Sequence, residues 1–171
     1  MDEHSSTPPR VLVAYGTKRG ATADIAEQIA DVLNKTGCAA ETRPAGEVRD
    51  LTEYDAVVLG GALYGNRWHR DARRLARRSG KALARTPVWL FSSGPLDDSA
   101  TRGDIPPVSA VQRVADRIDA RGHITFGGRL TDDTHGRMAR MIVRSGHGGD
   151  FRDTGQIATW AEGIGRELNQ A

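Results

Sequence analysis

The chain has 171 residues, of which 38% are hydrophobic and 27% are charged, and its formal net charge is +2. This length suits one domain that can bury a core, and the small net charge does not by itself indicate a nucleic-acid partner. The apolar runs are too short to cross a membrane, the N-terminal residues lack a signal-peptide pattern, and a single cysteine, Cys38, excludes an internal disulfide. We therefore expect a cytoplasmic protein with a loose tail over residues 1–9 and one domain over 10–171.

Strand patterns and helical patterns alternate along the chain. Strands are predicted over residues 10–16, 38–45, 55–63, 86–94 and 123–130. Helices are predicted over 21–36 with Gly37 closing, over 67–83 with Trp68 and Leu83 facing inward, over 108–118 with Gly122 closing, and over 157–168. Buried strands joined by helices predict an α/β fold, with a parallel sheet that is covered on both faces. Residues 131–153 break the alternation, and we interpret them as an insert with a short helix at 136–144.

The loop after the first strand leads directly into a helix. Backbone N–H groups at such a junction favour an anion. The loop also contains hydroxyl groups, positive charges and a glycine, which strengthen this prediction. The candidate phosphate-binding residues are Thr17, Lys18, Arg19, Gly20, Ala21 and Thr22. The loop has neither the closing Gly-Lys-Ser/Thr of a nucleoside-triphosphate loop nor the Gly-x-Gly-x-x-Gly pattern of a dinucleotide site.

Two further loops follow predicted strands and are rich in small or polar residues. They comprise Ala62, Leu63, Tyr64, Gly65 and Asn66, and then Ser92, Ser93, Gly94 and Pro95. Open parallel sheets bind ligands outside the carboxyl ends of their strands, so these loops could hold a planar ring beside the phosphate. The alternative is that Gly65 and Gly94 only form turns.

Residues 17–22, "TKRGAT", resemble the phosphate loop of flavodoxins, which has a Ser/Thr-x-x-Gly-x-Thr pattern directly after the first strand. Residues 15–27, 55–74, 126–130 and 137–164 are similar, in the same order, to the flavodoxin-like subfamily that contains menaquinone-dependent protoporphyrinogen oxidase. The resemblance implies a doubly wound five-stranded sheet in the order 2-1-3-4-5. It also implies FMN as the cofactor, with phosphate contacts from 17–22 and ring contacts from 62–66 and 92–95.

This resemblance further implies an oxidoreductase that passes electrons from a reduced organic substrate to a quinone-like acceptor. The insert begins with "TDDTHG", which is shorter and less aromatic than in the porphyrinogen-oxidising members. Electron-carrier flavodoxins are usually acidic, whereas the sequence pI here is about 9.0. Two alternatives stay open: a non-catalytic flavodoxin that docks a redox partner protein, and a flavodoxin-like interaction module.

Basic residues concentrate between 67 and 81, where seven of them accompany one aspartate. We interpret the segment as one helix with a basic face, and the insert as a second basic segment. The candidates for contact with a substrate or partner are Arg70, Arg74, Arg137, Arg140 and Arg144. A solvated surface, an anionic membrane at its inner face, an acidic protein and a carboxylate substrate are the alternatives, and nucleic acid is not expected.

The remaining titratable residues do not form a recognisable catalytic set. Because no cluster has metal-ligand spacing and no nucleophilic triad can be assembled, we expect neither a metal nor a catalytic side chain. His123 is interpreted as structural, whereas His69, His135 and His147 are interpreted as surface residues.

Overall fold

The computed structural model describes residues 7–18, 20–94, 106–127, 129–130, 149–150 and 154–170. Its strands are β1 (Arg10–Gly16), β2 (Ala39–Pro44), β3 (Ala56–Tyr64), β4 (Arg67–Trp68), β5 (Val88–Ser93), β6 (Gly122–Phe126), β7 (Arg129–Leu130) and β8 (Gly149–Asp150). Its helices are α1 (Ala21–Lys35), α2 (Arg70–Arg78), α3 (Gly80–Ala84), α4 (Ser109–Ile118) and α5 (Thr154–Gln170), with a 3-10 turn at Ala45–Glu47.

Five parallel strands form the central sheet in the order β2-β1-β3-β5-β6. Counted along the chain without the short antiparallel β4, this is the order 2-1-3-4-5, and the predicted α/β fold is confirmed. Val13 in β1 pairs with Thr42 on one side and with Val58 on the other. The chain winds away from β1 in both directions, so the crevice expected for a ligand lies at the carboxyl ends of β1 and β3.

Alternating residues of each strand supply two separate cores. Val11 and Val13 pack under α1 and α5, whereas Leu12 and Ala14 pack under α2, α3 and α4. Both faces of the sheet are therefore apolar along continuous strands, as expected for parallel strands with a helical layer on each side. Cys38 is buried in the first core just before β2.

The predicted single helix over 67–83 is wrong, because three elements share that range. Trp68 lies in β4 and pairs with Leu63 of β3 in an antiparallel hairpin. α2 ends at Ser79, and Leu83 belongs to the separate helix α3. All the apolar residues still face the same core, which explains why their spacing resembled that of one helix.

Helix ends were predicted correctly at α1 and incorrectly at α4. α1 is followed by Thr36 and then by Gly37, whose φ of 102° suits a glycine after a helix. α4 instead ends at Asp119, which has a φ of 53°, while Gly122 opens β6. Aspartate can occupy the left-handed region because its short polar side chain bonds locally.

The two ends of the predicted insert lie side by side. β7 and β8 pair as antiparallel strands, so the chain returns after residue 148 to the place that it left after residue 130. The predicted helix at 136–144, His135, His147 and most of the tail lie outside the described residues. Within the described part of the chain, the helices are too short or too polar to cross a membrane.

Candidate functional site

The first predicted loop enters α1 through a glycine in the left-handed conformation. Gly20 is the N-cap of α1 and has a φ of 85° and a ψ of −17°, a region that disfavours a Cβ atom. As a glycine, Gly20 has no side chain that could cap this helix. Because the first N–H groups of a helix have no partner within it, they face the loop with a partial positive charge.

Thr22 gives a direct test of whether this junction fits a phosphate. The residue is completely buried in the first turn of α1, and its Oγ1 has no hydrogen-bond partner among the described residues. An unpaired buried hydroxyl costs about 1–3 kcal/mol, so a group that accepts its hydrogen bond would stabilise this junction. A phosphate oxygen at the helix N-terminus would accept this hydrogen bond, and the residues present therefore fit the group.

The second predicted loop is the tip of a β-hairpin. Tyr64 pairs with Arg67 across it, which leaves a connection of two residues. Gly65 and Asn66 have φ values of 56° and 61°, and two positive values are typical of the type I′ turn that suits twisted strands. The prediction that Gly65 lies in a turn is thus correct, but the turn carries Tyr64 to the carboxyl edge of the sheet.

Tyr64 connects the hairpin to the first loop. The backbone N–H of Lys18 donates to Tyr64 Oη at 3.1 Å, and the Lys18 ammonium lies 5.2 Å from the centre of the ring. The predicted phosphate loop and the predicted ring loop are therefore in direct contact. Such contact fixes the hairpin relative to the start of α1.

His69 holds α2 against the hairpin. The backbone N–H of His69 donates to the carbonyl of Ala62 at 2.8 Å. The ring Nδ1 accepts from the backbone N–H of Asp71 at 3.2 Å. Burial lowers the pKa of His69, and the nearby Asp71 opposes this shift only in part. The ring is thus neutral near pH 7, with its proton assigned to Nε2 from the hydrogen bond. The expected surface position of His69 is wrong, because only 9% of the residue is exposed.

The end of β5 contributes to a buried hydrogen-bonded chain. Trp68 Nε1 donates to Ser92 Oγ at 2.8 Å, and Ser92 Oγ lies 3.1 Å from His123 Nε2. An indole N–H can only donate, so Ser92 Oγ accepts from Trp68, whereas the direction of its bond with His123 depends on the tautomer of the imidazole. Burial lowers the pKa of His123 to about 4. His123 is therefore structural, as predicted, and the Ser92 side chain faces this chain of bonds.

The three predicted loops lie together at the carboxyl edge of the sheet. A Cβ atom at Gly94 would lie 3.1 Å from Leu63 Cδ1, so the second and third loops also meet. Arg70 and Arg74 lie on the exposed side of α2. The other predicted site residues that lie outside the described residues are Arg19, Pro95, Arg137, Arg140 and Arg144.

Sequence reasoning missed the hairpin and the bonded chain that supports it. The signal for the hairpin was present, because Gly65-Asn66 is a turn dipeptide between two strand-forming segments. Trp68 would then have been placed in a strand. The bond from Ser92 to His123 joins residues 31 positions apart and has no local signal.

Comparisons with known proteins agree with this geometry. The profile of the family described as "Flavodoxin domain" matches residues 12–147. A flavodoxin from Pseudomonas aeruginosa shares 14% identity at a TM-score of 0.63, over 94% of this chain and 99% of that one. Flavodoxin 2 from Bacillus cereus shares 15% identity at a TM-score of 0.60, and the match covers 94% of this chain and 98% of that one. A search of curated proteins gave no match.

A larger protein shows the same fold. Rubredoxin oxygen:oxidoreductase from Desulfovibrio gigas shares 12% identity at a TM-score of 0.64, and the match covers 95% of this chain but only 37% of that protein. At these identities the structural likeness concerns the fold, whereas the family profile covers most of the chain. We conclude that the chain belongs to the flavodoxin domain family and that FMN is its cofactor.

Proposed function

We propose that the chain is an FMN-dependent oxidoreductase of the protoporphyrinogen oxidase type, which passes electrons from a reduced organic substrate to a quinone-like acceptor. The observation that carries the substrate class is the positive charge around the hairpin. Lys18, Arg67 and Arg70 are all exposed there. Of these three cations, only Arg70 has an acidic partner among the described residues, namely Asp71 at 3.8 Å. Such cations suit a substrate that carries carboxylates.

The residues of the site act by binding and positioning. FMN, when bound, supplies the redox chemistry. Thr22 and the first N–H groups of α1 would hold its phosphate. Tyr64 fixes the hairpin against the phosphate loop, and the backbone N–H of His69 ties the start of α2 to the hairpin. No described side chain has to move a proton for this function.

The test is turnover of anaerobically prepared protoporphyrinogen with menadione as the acceptor, compared with free FMN at the same concentration. We expect turnover above free FMN, and a several-fold higher KM in the Arg67→Gln/Arg70→Gln double variant. The matched control is Lys35→Gln/Arg166→Gln, which likewise removes two charges but from α1 and α5, on the other face of the sheet. Arg137, Arg140 and Arg144 are proposed to pair with substrate carboxylates too, and their triple Gln variant is tested beside the double variant.

A second candidate function is electron transfer without a substrate of its own. It is supported by size, because 94% of this chain covers 99% of the Pseudomonas flavodoxin. On this proposal, an acidic redox partner docks against the basic residues, and electrons move in single steps from a reductase. A rate no higher than that of free FMN would exclude the first proposal and favour this one. Failure to bind FMN would exclude both and leave an interaction module.

For the first candidate we propose peripheral contact with an anionic membrane surface, where a lipid-soluble quinone is found. The supporting feature is the exposed side of α2, with Arg70 and Arg74. Exposed charges are screened beyond ~8 Å at physiological ionic strength, so binding should weaken steeply with salt. Sedimentation with anionic vesicles should fall in the Arg70→Gln/Arg74→Gln variant. Equal sedimentation of variant and wild type would leave α2 as a solvated surface.

A further inference from the structure

A second cleft lies at the opposite edge of the sheet from the candidate FMN site. It is formed by the segment 49–54, which leads into β3, and by the segment 77–86, which runs from the end of α2 to the start of β5. Its volume is about 840 Å³, within the ~300–1,000 Å³ typical of small-molecule sites. The cleft shares no residue with the three loops of the carboxyl edge.

Positive charge dominates the lining of this cleft. Five cationic side chains contribute to it, namely Arg49, Arg77, Arg78, Lys81 and Arg85. Within the described parts of the chain, none of the five forms an ion pair. A smaller adjoining hollow of about 310 Å³ shares two of them and adds Arg117 from α4.

The single carboxylate in the lining, Asp50, is already engaged. Its two oxygens accept from the N–H of Thr52 at 3.0 Å and from the hydroxyl of Thr52 at 2.9 Å. These bonds hold the pKa of the Asp50 carboxyl below its usual value. Asp50 thus stabilises its own turn, and its single negative charge offsets at most one of the five cations.

Of the five cations, only Arg78 helps to hold the walls of the cleft in place within the part of the chain that the structure describes. The other contacts between the walls and the domain come from different residues. Leu51 is buried in the second core and anchors one wall, and Leu83 anchors the other. Thr86 Oγ1 donates to the carbonyl of Ala82 at 2.8 Å, which closes the end of α3. Arg78 donates to the carbonyl of Val48 at 2.6 Å and joins the two walls.

We propose that this cleft binds a soluble organic oligophosphate of nucleotide size, such as a nucleoside triphosphate, independently of the FMN site. Arginine presents a planar fork that matches phosphate oxygens, and four of the five cations are arginines. Five cations against one carboxylate suit a chain of phosphates better than a single one. The volume also leaves room for an organic group beside Leu51 and Tyr54.

The position of two cations has a simpler explanation, which does not extend to the rest. Arg77 and Arg78 lie in the last turn of α2, where positive charge complements the helix dipole. Lys81 lies in the last turn of α3 and Arg85 is its C-cap, but a helix of five residues has only a small dipole, and Arg49 lies before β3 without a helix end of its own. Their convergence on one cleft is what the proposal explains.

The test is isothermal titration calorimetry of the FMN-loaded chain with ATP, AMP and adenosine. We expect one ATP site, at least tenfold weaker binding of AMP and no binding of adenosine. Lys81→Gln/Arg85→Gln should weaken ATP at least tenfold, because these exposed side chains make no contact that the described structure needs. Arg70→Gln/Arg74→Gln is the matched control, since it removes two charges from α2 outside the cleft and should leave ATP affinity unchanged.

Three results would overturn the proposal. The first is equal loss of ATP affinity in the control variant, which would indicate a diffuse charge effect. The second is ATP binding only to FMN-free protein, which would assign it to the FMN site. The third is binding of phosphatidylglycerol vesicles through Lys81 and Arg85 without binding of ATP, which would assign the cleft to lipid headgroups. None of these measurements depends on turnover, so they stand apart from the proposed oxidoreductase function.

Discussion

The two helical layers of this domain differ in charge although they cover the same sheet. α2, α3 and α4 together carry eight basic and two acidic residues, a formal charge of +6. α1 and α5 together carry two basic and five acidic residues, a formal charge of −3. The net charge of +2 therefore conceals a strongly polarised molecule, and it is the distribution of charge that bears on partners.

The layers also differ in how they approach the sheet. Under α1 and α5, the rings of Phe91, Phe126 and Trp160 lie with centres 5.7–6.3 Å apart and fill the space. Under α2, small residues allow a close approach, and a Cβ atom at Gly61 would lie 3.2 Å from that of Ala72. The acidic layer is thus filled by aromatic rings, whereas the basic layer packs backbone closely against backbone.

Neighbouring glycines in β3 test this difference most strongly. A Cβ atom at Gly60 would overlap the ring of Phe91, whereas one at Gly61 would lie 3.0 Å from Trp68 Cγ. We expect Gly60→Ala to lower the free energy of unfolding by about 3 kcal/mol and Gly61→Ala by about 1 kcal/mol, because overpacking a filled core forces neighbours to move. Urea denaturation monitored by circular dichroism measures both values.

Equal losses of stability in the two variants would contradict the proposed difference in packing between the two layers, since both faces of the sheet would then tolerate an added methyl group equally well. Gly80→Ala serves as a control, because a Cβ atom there would lie in open space and the residue starts a helix. Its unfolding free energy should equal or slightly exceed that of the wild type.

Acid should loosen the basic layer before the acidic one, because His123 is partly buried on that side of the sheet, with its Nε2 3.1 Å from Ser92 Oγ. Its folded pKa is about 4, below the ordinary 6.5, so the unfolded chain binds this proton more readily. The contribution of neutral His123 to the free energy of unfolding is complete above about pH 7, and it is lost as the pH falls toward 4. From about pH 7.5 to pH 5 the expected loss is about 2 kcal/mol.

The measurement is urea denaturation across this pH range in the wild type and in His123→Gln. The variant cannot be protonated, so its unfolding free energy should lose most of this pH dependence. If the free energy of unfolding of the variant depended on pH as steeply as that of the wild type, other groups would be the cause of the pH dependence. Because Trp68 ends the same bonded chain, its environment should change together with the protonation of His123.

The fold could be predicted from the sequence because its strands are buried on both faces. Such strands appear in the sequence as continuous apolar runs, and three of the five predicted strands, at 10–16, 55–63 and 86–94, were of this kind. The segment 67–83 was read as one helix because Trp68, Leu75 and Leu83 face the same core. Periodicity reports which face a residue occupies, but it does not report a break at Ser79 or a strand as short as β4.

The site could be predicted only where it depends on local backbone geometry. The loop 17–22 combines a glycine with a helix start, and both features are visible in the sequence. The partners of Tyr64 and Ser92 are set by strand register, which joins residues 46 and 31 positions apart. Burial of His69 likewise depends on how the hairpin and α2 meet, so an exposed position was a reasonable but wrong prediction.

The acidic layer is nevertheless where we propose the anion site, because α1 presents backbone N–H groups there. Gly20→Asp and Gly20→Asn test this arrangement, since both side chains tolerate a positive φ and differ only in charge. We expect Gly20→Asp to weaken FMN at least tenfold relative to Gly20→Asn, measured by fluorescence quenching on binding. Equal affinities would mean that no phosphate approaches the N-terminus of α1.

The smallest expected effect concerns Thr22, and it should have opposite signs in the free and FMN-bound protein. Thr22→Val keeps the shape of the side chain and removes the buried hydroxyl that lacks a partner among the described residues. Without FMN, the variant should be more stable than the wild type by about 1 kcal/mol, because an unsatisfied polar group is replaced by an apolar one. With FMN, the affinity for the cofactor should fall several-fold, because the variant lacks the hydroxyl that would donate to the phosphate.

Thermal denaturation with and without FMN measures both effects on one sample. A variant that is less stable without FMN, or that binds FMN as tightly as the wild type, would show that the hydroxyl serves the fold and not the phosphate.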